Sequence, residues 1–578
     1  MKSFLKTTLA VITGIVITSV AGFIICVIFL SAAVSSASPS GYVPLDAVLK
    51  IDMSRIVLAE QSQEALPSLG ESVDMNPPAI IGIWDAVASI KAAADDSDVK
   101  FIYLKADGVN SGAAALQEFR EALSKFRQSG KSVVAYIESP STASYYLASV
   151  ADKVYMTSAH GATTEVLGIS GRMIFLKDLL DKLGVNVQLI RHGKYKSAGE
   201  MFVRSEASAE NLEQTSRMIN SVWESYSAQI AQSRGMSTEA LNSCIDELKL
   251  CTPEDFVSCG LVDELLDRQG LETKIADLAM QSSFKDVKMA AFADYVVSKT
   301  GGRSKGKKKI AILFANGEIV DQNDPKNISS AEFVKEISKV RADSTIKAVV
   351  LRVNSPGGSV LASEKIKAEL DLLRADKPVI ASYGDYAASG GYWISNSADR
   401  IFADPATLTG SIGVFGMVPD LSGTLKKVAH VNVQNVSSNR HGDMFSLTRP
   451  FDADEYAYML RSIEDIYDRF LDNVSKGRSL TREKVDEVAQ GRVWTGSDAL
   501  SIGLVDELGG LEDALAFAAS AAGNADVSSW AVESYPKPLT AWQQMFMTMT
   551  DDTNEVKWAR FLSKPRVLAR MPYQYVIE

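Results

Sequence analysis

The chain repeats itself once, and this duplication limits its possible folds more than any other feature of the sequence. Residues 95–104 (Asp-Asp-Ser-Asp-Val-Lys-Phe-Ile-Tyr-Leu) align with residues 342–351 (Ala-Asp-Ser-Thr-Ile-Lys-Ala-Val-Val-Leu), 247 positions later. The hexapeptide Gly-Leu-Val-Asp-Glu-Leu occurs at 260–265 and recurs unchanged at 503–508. Matches in the same order and at nearly constant spacing indicate a tandem duplication.

The duplication divides the chain into five segments. We predict a first copy over residues 45–290 and a second copy over residues 310–525. Between them, residues 300–309 (Thr-Gly-Gly-Arg-Ser-Lys-Gly-Lys-Lys-Lys) form a glycine-rich, basic linker. Residues 1–40 precede the first copy, and residues 526–578 form a C-terminal extension to which the sequence assigns no role.

Composition narrows the class of protein. With 578 residues, 46% of them hydrophobic, the chain is long enough for at least two domains. A net charge of −11 disfavours binding to nucleic acid, whose phosphates select basic surfaces. Cys244, Cys251 and Cys259 lack the spacing of paired metal ligands, and we expect mostly buried thiols, with one disulfide as the alternative.

The N-terminus carries a candidate membrane anchor. Lys2 and Lys6 precede a stretch without charge that continues to Asp46, and its apolar centre covers residues 9–30. That length suits a helix that spans a bilayer and exceeds the apolar region of a cleaved signal peptide. We predict a single-pass anchor with a cytoplasmic N-terminus and the rest of the chain outside the cytoplasm. Cleavage after the small residues at 31–38 is the alternative.

The second copy alternates strand and helix patterns. Continuous apolar runs at 310–314, 346–353 and 379–383 predict buried parallel strands, and residues 364–373 predict a helix between two of them. Residues 459–474 carry apolar side chains at helical spacing, which predicts one face of a long amphipathic helix. This order is typical of an α/β fold.

Two glycine-rich turns follow buried strands and are candidates for chemistry. They are residues 354–359 (Asn-Ser-Pro-Gly-Gly-Ser) and residues 387–393 (Ala-Ala-Ser-Gly-Gly-Tyr-Trp). Paired glycines expose backbone N–H groups that can stabilise an oxyanion, and Ser389 at the start of a helix suits a nucleophile. The alternative is that both are ordinary turns and that Ser389 only caps its helix.

The residue types alone leave the general base open. The four histidines are His160, His192, His430 and His441, and none lies in a distinctive motif. A Ser-His-Asp triad is therefore possible, but the sequence offers few histidines that could take part in it. A lysine whose pKa is lowered by burial is the alternative base.

Taken together and in order, the motifs resemble the long, tandem-repeat form of signal peptide peptidase SppA (protease IV). They are Ser355-Pro-Gly-Gly-Ser, Ala388-Ser-Gly-Gly-Tyr-Trp, Leu408-Thr-Gly-Ser-Ile-Gly-Val, Val493-Trp-Thr-Gly, Gly503-Leu-Val-Asp-Glu-Leu-Gly-Gly and Tyr195-Lys-Ser-Ala. The resemblance implies an α/β protein with two tandem copies of the ClpP/crotonase-like fold, preceded by one transmembrane helix. It further implies a serine protease of the bacterial inner membrane, with a periplasmic catalytic part that degrades cleaved signal peptides.

The resemblance also assigns roles to single residues. It implies that Ser389 is the nucleophile and that Lys196 is the general base of a Ser-Lys dyad. Ser411 corresponds to the residue that orients the lysine, and the N–H groups of Gly358 and Gly390 correspond to the oxyanion hole. No metal and no organic cofactor is implied.

The duplication favours one site built from both copies. At a spacing of 247 residues, Thr142 takes the place of the serine, and Asn110 and Ser111 take the places of the paired glycines. The second copy contains no lysine between residues 428 and 450, the region that corresponds to Lys196. Each copy therefore keeps what the other lacks.

Other functions and partners follow as expectations. One alternative is a crotonase-like acyl-CoA enzyme, which would not explain the anchor or the division of Ser389 and Lys196 between the copies. The other is a catalytically silent membrane scaffold, in which the glycine motifs are only turns. The expected partners are signal peptides and other hydrophobic peptides, and membrane lipid around the N-terminal helix. The resemblance also implies a homotetramer, and nucleic acid is not an expected partner.

Overall fold

Most of both copies is described by the structure, which is a computed structural model. It describes residues 41–63, 77–300, 307–538 and 566–571, and shorter stretches at 8, 11–15, 17–19, 68–69, 73–74 and 543. The predicted anchor at 9–30 and the predicted linker at 300–309 lie largely outside these residues. Within the described part of the chain, no helix combines the length and the apolar character that crossing a bilayer requires.

Strands and helices alternate along both copies, as the α/β pattern predicts. The strands, β1 to β24 in chain order, are Ala47–Asp52, Ile56–Ala59, Ser68–Leu69, Val73–Asp74, Ala79–Gly82, Val99–Lys105, Val133–Ile137, Lys153–Thr157, Asn186–His192, Glu264–Leu266, Met289–Ala291, Lys309–Asn316, Ile319–Val320, Ile328–Ser329, Ile346–Ser355, Gly357–Ser359, Val379–Ala388, Arg400–Ala403, Leu408–Gly410, Val414–Asp420, Val493–Thr495, Glu507–Leu508, Ala531–Tyr535 and Arg566–Arg570. The α-helices are Ile83–Asp95, Ala113–Gln128, Thr142–Ala148, Lys177–Lys182, Glu200–Val203, Ala209–Arg234, Thr238–Asp246, Pro253–Ser258, Arg268–Leu278, Phe292–Thr300, Ser330–Ala342, Val360–Asp376, Gly390–Ser395, Ala453–Arg478, Arg482–Val488, Gly496–Ser501 and Leu511–Ala521.

Each copy contains a parallel sheet, and the two sheets share one strand order. In the first copy the order is β10-β8-β7-β6-β1-β11, with every pair parallel. In the second copy the corresponding order is β22-β18-β17-β15-β12-β23, again parallel throughout. Strand β19 continues beside the end of β17, and β21 pairs antiparallel with β19. The predicted duplication and the predicted α/β class are thus confirmed in the topology.

The predicted elements of the second copy are present and longer than predicted. The strand predicted at 379–383 continues as Val379–Ala388, so that it ends at the residue before Ser389. The predicted amphipathic helix is Ala453–Arg478. All seven of its predicted apolar residues are buried, namely Met459, Ile463, Ile466, Tyr467, Phe470, Leu471 and Val474. The helix therefore packs with the face that its periodicity predicts.

A third sheet joins the two copies. Its order is β14-β13-β16-β24-β20-β9, and it takes β9 from the first copy, β24 from the C-terminal segment and its other strands from the second copy. Strand β9 (Asn186–His192) pairs antiparallel with β20 (Val414–Asp420) along its whole length. The chain of the first copy thereby crosses into the second copy just before it reaches Lys196.

A buried ion cluster fixes the two copies against each other. The guanidinium of Arg352 on β15 donates from Nε to Glu60 Oε2 at 2.7 Å and from Nη2 to Glu118 Oε1 at 2.6 Å. Both carboxylates belong to the first copy, and all three side chains are buried. A buried charge that is separated from its partners is strongly unfavourable, so this cluster opposes any sliding of one copy past the other.

Two further predictions, on the C-terminal extension and on the cysteines, concern residues outside the candidate site. The C-terminal extension contributes strands on both sides of its undescribed part: β23 pairs with β12, and β24 enters the third sheet. Cys244, Cys251 and Cys259 are free thiols. The expectation of burial is confirmed for Cys244 and wrong for Cys251, which lies exposed in the turn before helix Pro253–Ser258.

Candidate active site

Ser389 lies at the junction between strand β17 and helix Gly390–Ser395. Its backbone has φ 57° and ψ −112°, values that residues with a side chain rarely adopt. The junction is held because the N–H of Ser389 donates to the Gly410 carbonyl and the Ser389 carbonyl accepts from the N–H of Trp393, both at 2.8 Å. The first N–H groups of a helix have no partner inside it, so the hydroxyl lies beside donors that suit an oxyanion.

The second glycine-rich turn forms strand β16 beside this junction. Gly357 has φ 99°, and a Cβ placed on Gly358 would come within 2.1 Å of the Ile319 carbonyl oxygen. Glycine is therefore required at both positions, for conformation in one case and for space in the other. The N–H of Gly357 donates to Ser355 Oγ at 3.2 Å.

Lys196 reaches Ser389 from the first copy. The lysine lies in the loop after β9, where the N–H of Tyr195 donates to the Gln490 carbonyl of the second copy at 2.9 Å. Its Nζ lies 2.9 Å from Ser389 Oγ and 3.0 Å from both Oγ and the carbonyl oxygen of Ser411. A neutral amine can make these three contacts, because its two N–H groups can donate to the two Ser411 oxygens while its lone pair accepts the Ser389 proton.

Burial sets the charge of this lysine. Lys196 has no exposed surface, and the loss of hydration lowers its pKa well below the ordinary value. The nearest acid in the sequence, Glu200, is bound elsewhere: it accepts from Ser208 Oγ at 2.7 Å and from Arg191 Nη1 at 3.0 Å. Burial alone would raise the pKa of Glu200, and these hydrogen bonds keep it lowered. Among the residues that the structure describes, no carboxylate is therefore placed to hold the amine protonated.

Two glycines of the second copy make the slot for the lysine side chain. A Cβ on Gly413 would lie 3.3 Å from Lys196 Cδ, and one on Gly491 would lie 2.5 Å from Lys196 Cβ. Gly491 also has φ 80°. We did not predict either residue, although Gly413 lies in the motif that begins at Leu408 and Gly491 lies two residues before Val493. Their closeness to these recognised motifs is the sequence feature that could have identified them.

The corresponding position in the first copy is occupied by a structural threonine. Thr142 is buried, and its Oγ1 donates to the Gly168 carbonyl at 3.0 Å and accepts from the N–H of Leu167 at 3.2 Å. Asn110 and Ser111 stand where the second copy has its paired glycines. The hydroxyl of Thr142 thus binds a neighbouring loop, which suits a structural role.

The histidines have other contacts. His192 stacks on Tyr467 with ring centroids 4.2 Å apart, and His441 Nδ1 lies 2.9 Å from Glu455 Oε1. His160 and His430 are exposed. The hydroxyl of Ser389 therefore has a lysine, and not one of these histidines, as its basic neighbour.

Comparison with known proteins fits a protease site of this kind. The model of peptidase family S49 matches residues 125–282 and 371–525, one stretch in each copy. The chain is also 34% identical to Protease 4 of Haemophilus influenzae over 517 residues, which cover 86% of this chain and 82% of that protein. The chain belongs to peptidase family S49. It is a serine protease with two tandem copies of the family's domain.

Further relatives extend the same result. This S49 peptidase is 36% identical to Protease 4 of Salmonella typhi over 482 residues, covering 81% of this chain and 76% of the relative. It is 32% identical to the chloroplastic serine protease SPPA of Arabidopsis thaliana over 434 residues, which cover 74% of this chain and 64% of that protein. A ClpP1 mutant from Listeria monocytogenes aligns with 35% of this chain and 93% of its own, at 15% identity and a TM-score of 0.24, too low to bear on the fold.

Proposed function

We propose that this S49 peptidase is a membrane-anchored serine endopeptidase that degrades cleaved signal peptides, with Ser389 as nucleophile and Lys196 as general base. The observation that carries the proposal is the 2.9 Å contact between Lys196 Nζ and Ser389 Oγ, inside a site where both side chains are fully buried. Burial without a carboxylate partner lowers the pKa of Lys196 well below its ordinary value, which favours the neutral amine that is able to accept a proton.

The proposed reaction uses backbone and side-chain groups alone. Lys196 takes the hydroxyl proton of Ser389 as Oγ attacks the peptide carbonyl, and the N–H groups of Gly358 and Gly390 hold the resulting oxyanion. The protonated lysine then gives its proton to the leaving amine, which frees the C-terminal fragment. A water molecule, deprotonated by Lys196, hydrolyses the acyl-enzyme and restores Ser389. Ser411 keeps the amine in place without adding charge.

The proposed substrates suit the surroundings of the nucleophile. Met218, Ala388, Leu408, Val493 and Met571 form a buried apolar cluster, and Ala388 directly precedes Ser389. Apolar side chains of a peptide would be favoured against such a surface, because binding removes them from water. The ClpP/crotonase-like assignment of each copy and the assembly into a homotetramer, both implied by the resemblance, remain parts of this proposal.

The membrane anchor at 9–30 is also part of the proposal. It is supported by an uncharged apolar stretch of bilayer-spanning length behind Lys2 and Lys6. We expect the full chain to stay in the membrane pellet after an alkaline carbonate wash, and its catalytic part to be digested by protease added to spheroplasts. A soluble mature chain that begins near residue 39 would contradict the anchor.

Labelling with a fluorophosphonate distinguishes the proposed protease from an acyl-CoA enzyme or a scaffold. The full chain should form one covalent adduct, and peptide mapping should locate it on Ser389. Thr142 should remain unlabelled, because its hydroxyl binds the 167–168 loop and has no paired glycines beside it. An adduct on Thr142, or no adduct at all, would contradict a single site composed of both copies.

A further inference from the structure

The loop that carries Lys196 is held in place by side chains that lie outside its sequence motif. The carbonyl of Tyr195 accepts from Gln214 Nε2 at 3.0 Å, and Gln214 Oε1 accepts from the N–H of Val493 at 3.3 Å. The carbonyl of Lys196 itself accepts from Arg191 Nη1 at 2.8 Å. Arg191, on strand β9, thus fixes the backbone of the proposed base directly.

Arg191 also pairs with a buried carboxylate, that of Glu200. The same Nη1 atom donates to Glu200 Oε1 at 3.0 Å, and Ser208 Oγ donates to that oxygen at 2.7 Å. The N–H of Ser208 and Asn211 Nδ2 both donate to Glu200 Oε2 at 3.2 Å. Burial of this fully enclosed side chain would raise its pKa, but the hydrogen bonds from Ser208 and Arg191 outweigh burial and lower it. Glu200 is therefore an ionised group inside the protein.

The position of Glu200 bears on the charge of the proposed base. It lies four residues after Lys196 in the chain, and a nearby anion favours the protonated form of a lysine. Arg191 offsets this effect, because its cation lies against the carboxylate and the pair has no net charge. Burial then remains as the cause that lowers the pKa of Lys196.

Other titratable and charged groups lie beside the loop or on the elements that pack against it. They are His192, Lys194, Tyr195, Arg204, Glu210, Glu213, Tyr467, Asp486 and Arg492. Glu213 and Arg492 form an ion pair at 3.0 Å, and the Tyr195 hydroxyl donates to Glu213 Oε2 at 2.9 Å. Among the described residues, the charged side chain that is bonded to Lys196 is that of Arg191.

We propose that Arg191 and Glu200 are positioning residues for the general base: together they fix the backbone of Lys196, and as a pair without net charge they allow its amine to stay neutral. This inference rests on the proposed function, which makes Lys196 the base. Each member of the pair cancels the other. A lone carboxylate would stabilise the ammonium form of Lys196, and a lone guanidinium would destabilise it.

The pH dependence of kcat/KM in the full chain tests this role. Arg191→Met leaves the Glu200 carboxylate without its cation, so the midpoint of the rising limb should move up by about half a pH unit or more. Glu200→Gln keeps the shape of the side chain and leaves Arg191 without its anion, so the midpoint should move down by about the same amount. The double variant has no charge at either position and should return to the wild-type midpoint. A purely structural role predicts one midpoint in all four chains.

The rate at the plateau tests the fixing of the backbone. In both single variants kcat should fall by about threefold or more, with KM within about twofold of the wild type, because the base is held less firmly while substrate binding is unaltered. Arg191→Lys keeps a cation opposite Glu200 and should therefore keep the wild-type midpoint, unlike Arg191→Met. A plateau kcat equal to that of the wild type in both single variants would overturn the positioning role.

An exposed pair of the same residue types provides the matched control. Arg268 Nε lies 2.9 Å from Glu272 Oε1 at the surface of the first copy, where the Arg268 side chain is 92% exposed. Arg268→Met and Glu272→Gln should leave kcat, KM and the midpoint unaltered, because solvent screens their charges. A thermal melt shows whether each variant folds. If Arg191→Met gives no cooperative melt, the isosteric Glu200→Gln decides alone: a lowered midpoint supports the inference, and an unchanged one overturns it.

The outcomes separate this inference from the proposed function. Unchanged midpoints in both single variants, or shifts in the same direction, would overturn the role of the pair in a protease that Lys196→Met inactivates. Lys196 would then remain the base without this support. An active Lys196→Met chain with an unchanged rising limb would instead contradict the proposed function, and the role of the pair would fall with it.

Discussion

Replacing Ser389 by alanine should lower the rate of peptide hydrolysis by about 10⁴-fold or more while leaving the fold intact. The change removes the only atom that is proposed to attack the substrate. Among the described residues, the one other hydroxyl in contact with Lys196 Nζ is that of Ser411. Folding should be nearly unaffected, since one hydrogen bond is lost at a stability cost of about 1 kcal/mol. Steady-state hydrolysis of a fluorogenic peptide and a thermal melt measure the two effects.

Thr142→Ala provides the matched control for this experiment. Thr142 occupies the corresponding position of the first copy and loses an equivalent hydroxyl, yet this change should keep activity within about twofold of the wild type. If Ser389→Ala retained more than a tenth of the wild-type rate, Ser389 would not be the nucleophile. If Thr142→Ala were as inactive as Ser389→Ala, the first copy would contribute more than the base.

Replacing Lys196 by methionine should remove activity to a similar extent, because the chain then lacks a base at the hydroxyl. Methionine matches the length and apolar stem of lysine, so the buried slot between Gly413 and Gly491 stays filled. Lys194→Met is the control: Lys194 is exposed, its Nζ lies over the Tyr195 ring at 5.1 Å, and its loss should leave the rate unchanged. Full activity of Lys196→Met together with inactivity of a His430 or His441 variant would instead support a Ser-His site.

The pH dependence of activity and of stability tests the assignment of Lys196 as the base. Burial lowers the pKa of Lys196, so kcat/KM should rise with pH along a limb whose midpoint lies well below about 10.4, the value of a free lysine. Unfolding restores the ordinary pKa, so the unfolded chain binds an extra proton at any pH between the two values. Stability relative to Lys196→Met should therefore fall as pH drops from about 10 towards the folded pKa. An activity limb centred near the free value would show that Lys196 is not buried in the working enzyme.

The sequence predicts the members of the candidate site because each lies in a short, contiguous motif. Strand β17 ends at Ala388, and a buried strand followed by Ser-Gly-Gly predicts the tight junction that the structure contains. The duplication was equally informative, since it identified Thr142 as a position without the features of a nucleophile. It also indicated that the proposed base and the proposed nucleophile come from different copies, and the structure brings Lys196 of the first copy into contact with Ser389 of the second.

Other features depend on contacts that no local pattern records. Gly491 is required because the backbone of Lys196, almost 300 residues earlier, passes against it. The segment at 566–571 has a sequence that would suit any exposed strand, and only the gap between β16 and β20 gives it a partner on both edges. The ion cluster around Arg352 unites residues from both copies and has no sequence signature either.

The pairing of β9 with β20 has a consequence for the timing of synthesis. Strand β9 is translated long before β20. Until β20 has been synthesised, the strand that leads to Lys196 lacks the partner with which it pairs in the folded protein. A ribosome-bound first half therefore holds the proposed base without the proposed nucleophile. Contacts so far apart in sequence also form late in folding. On the proposed Ser-Lys mechanism, the enzyme therefore becomes competent only after the second half has emerged from the ribosome and folded.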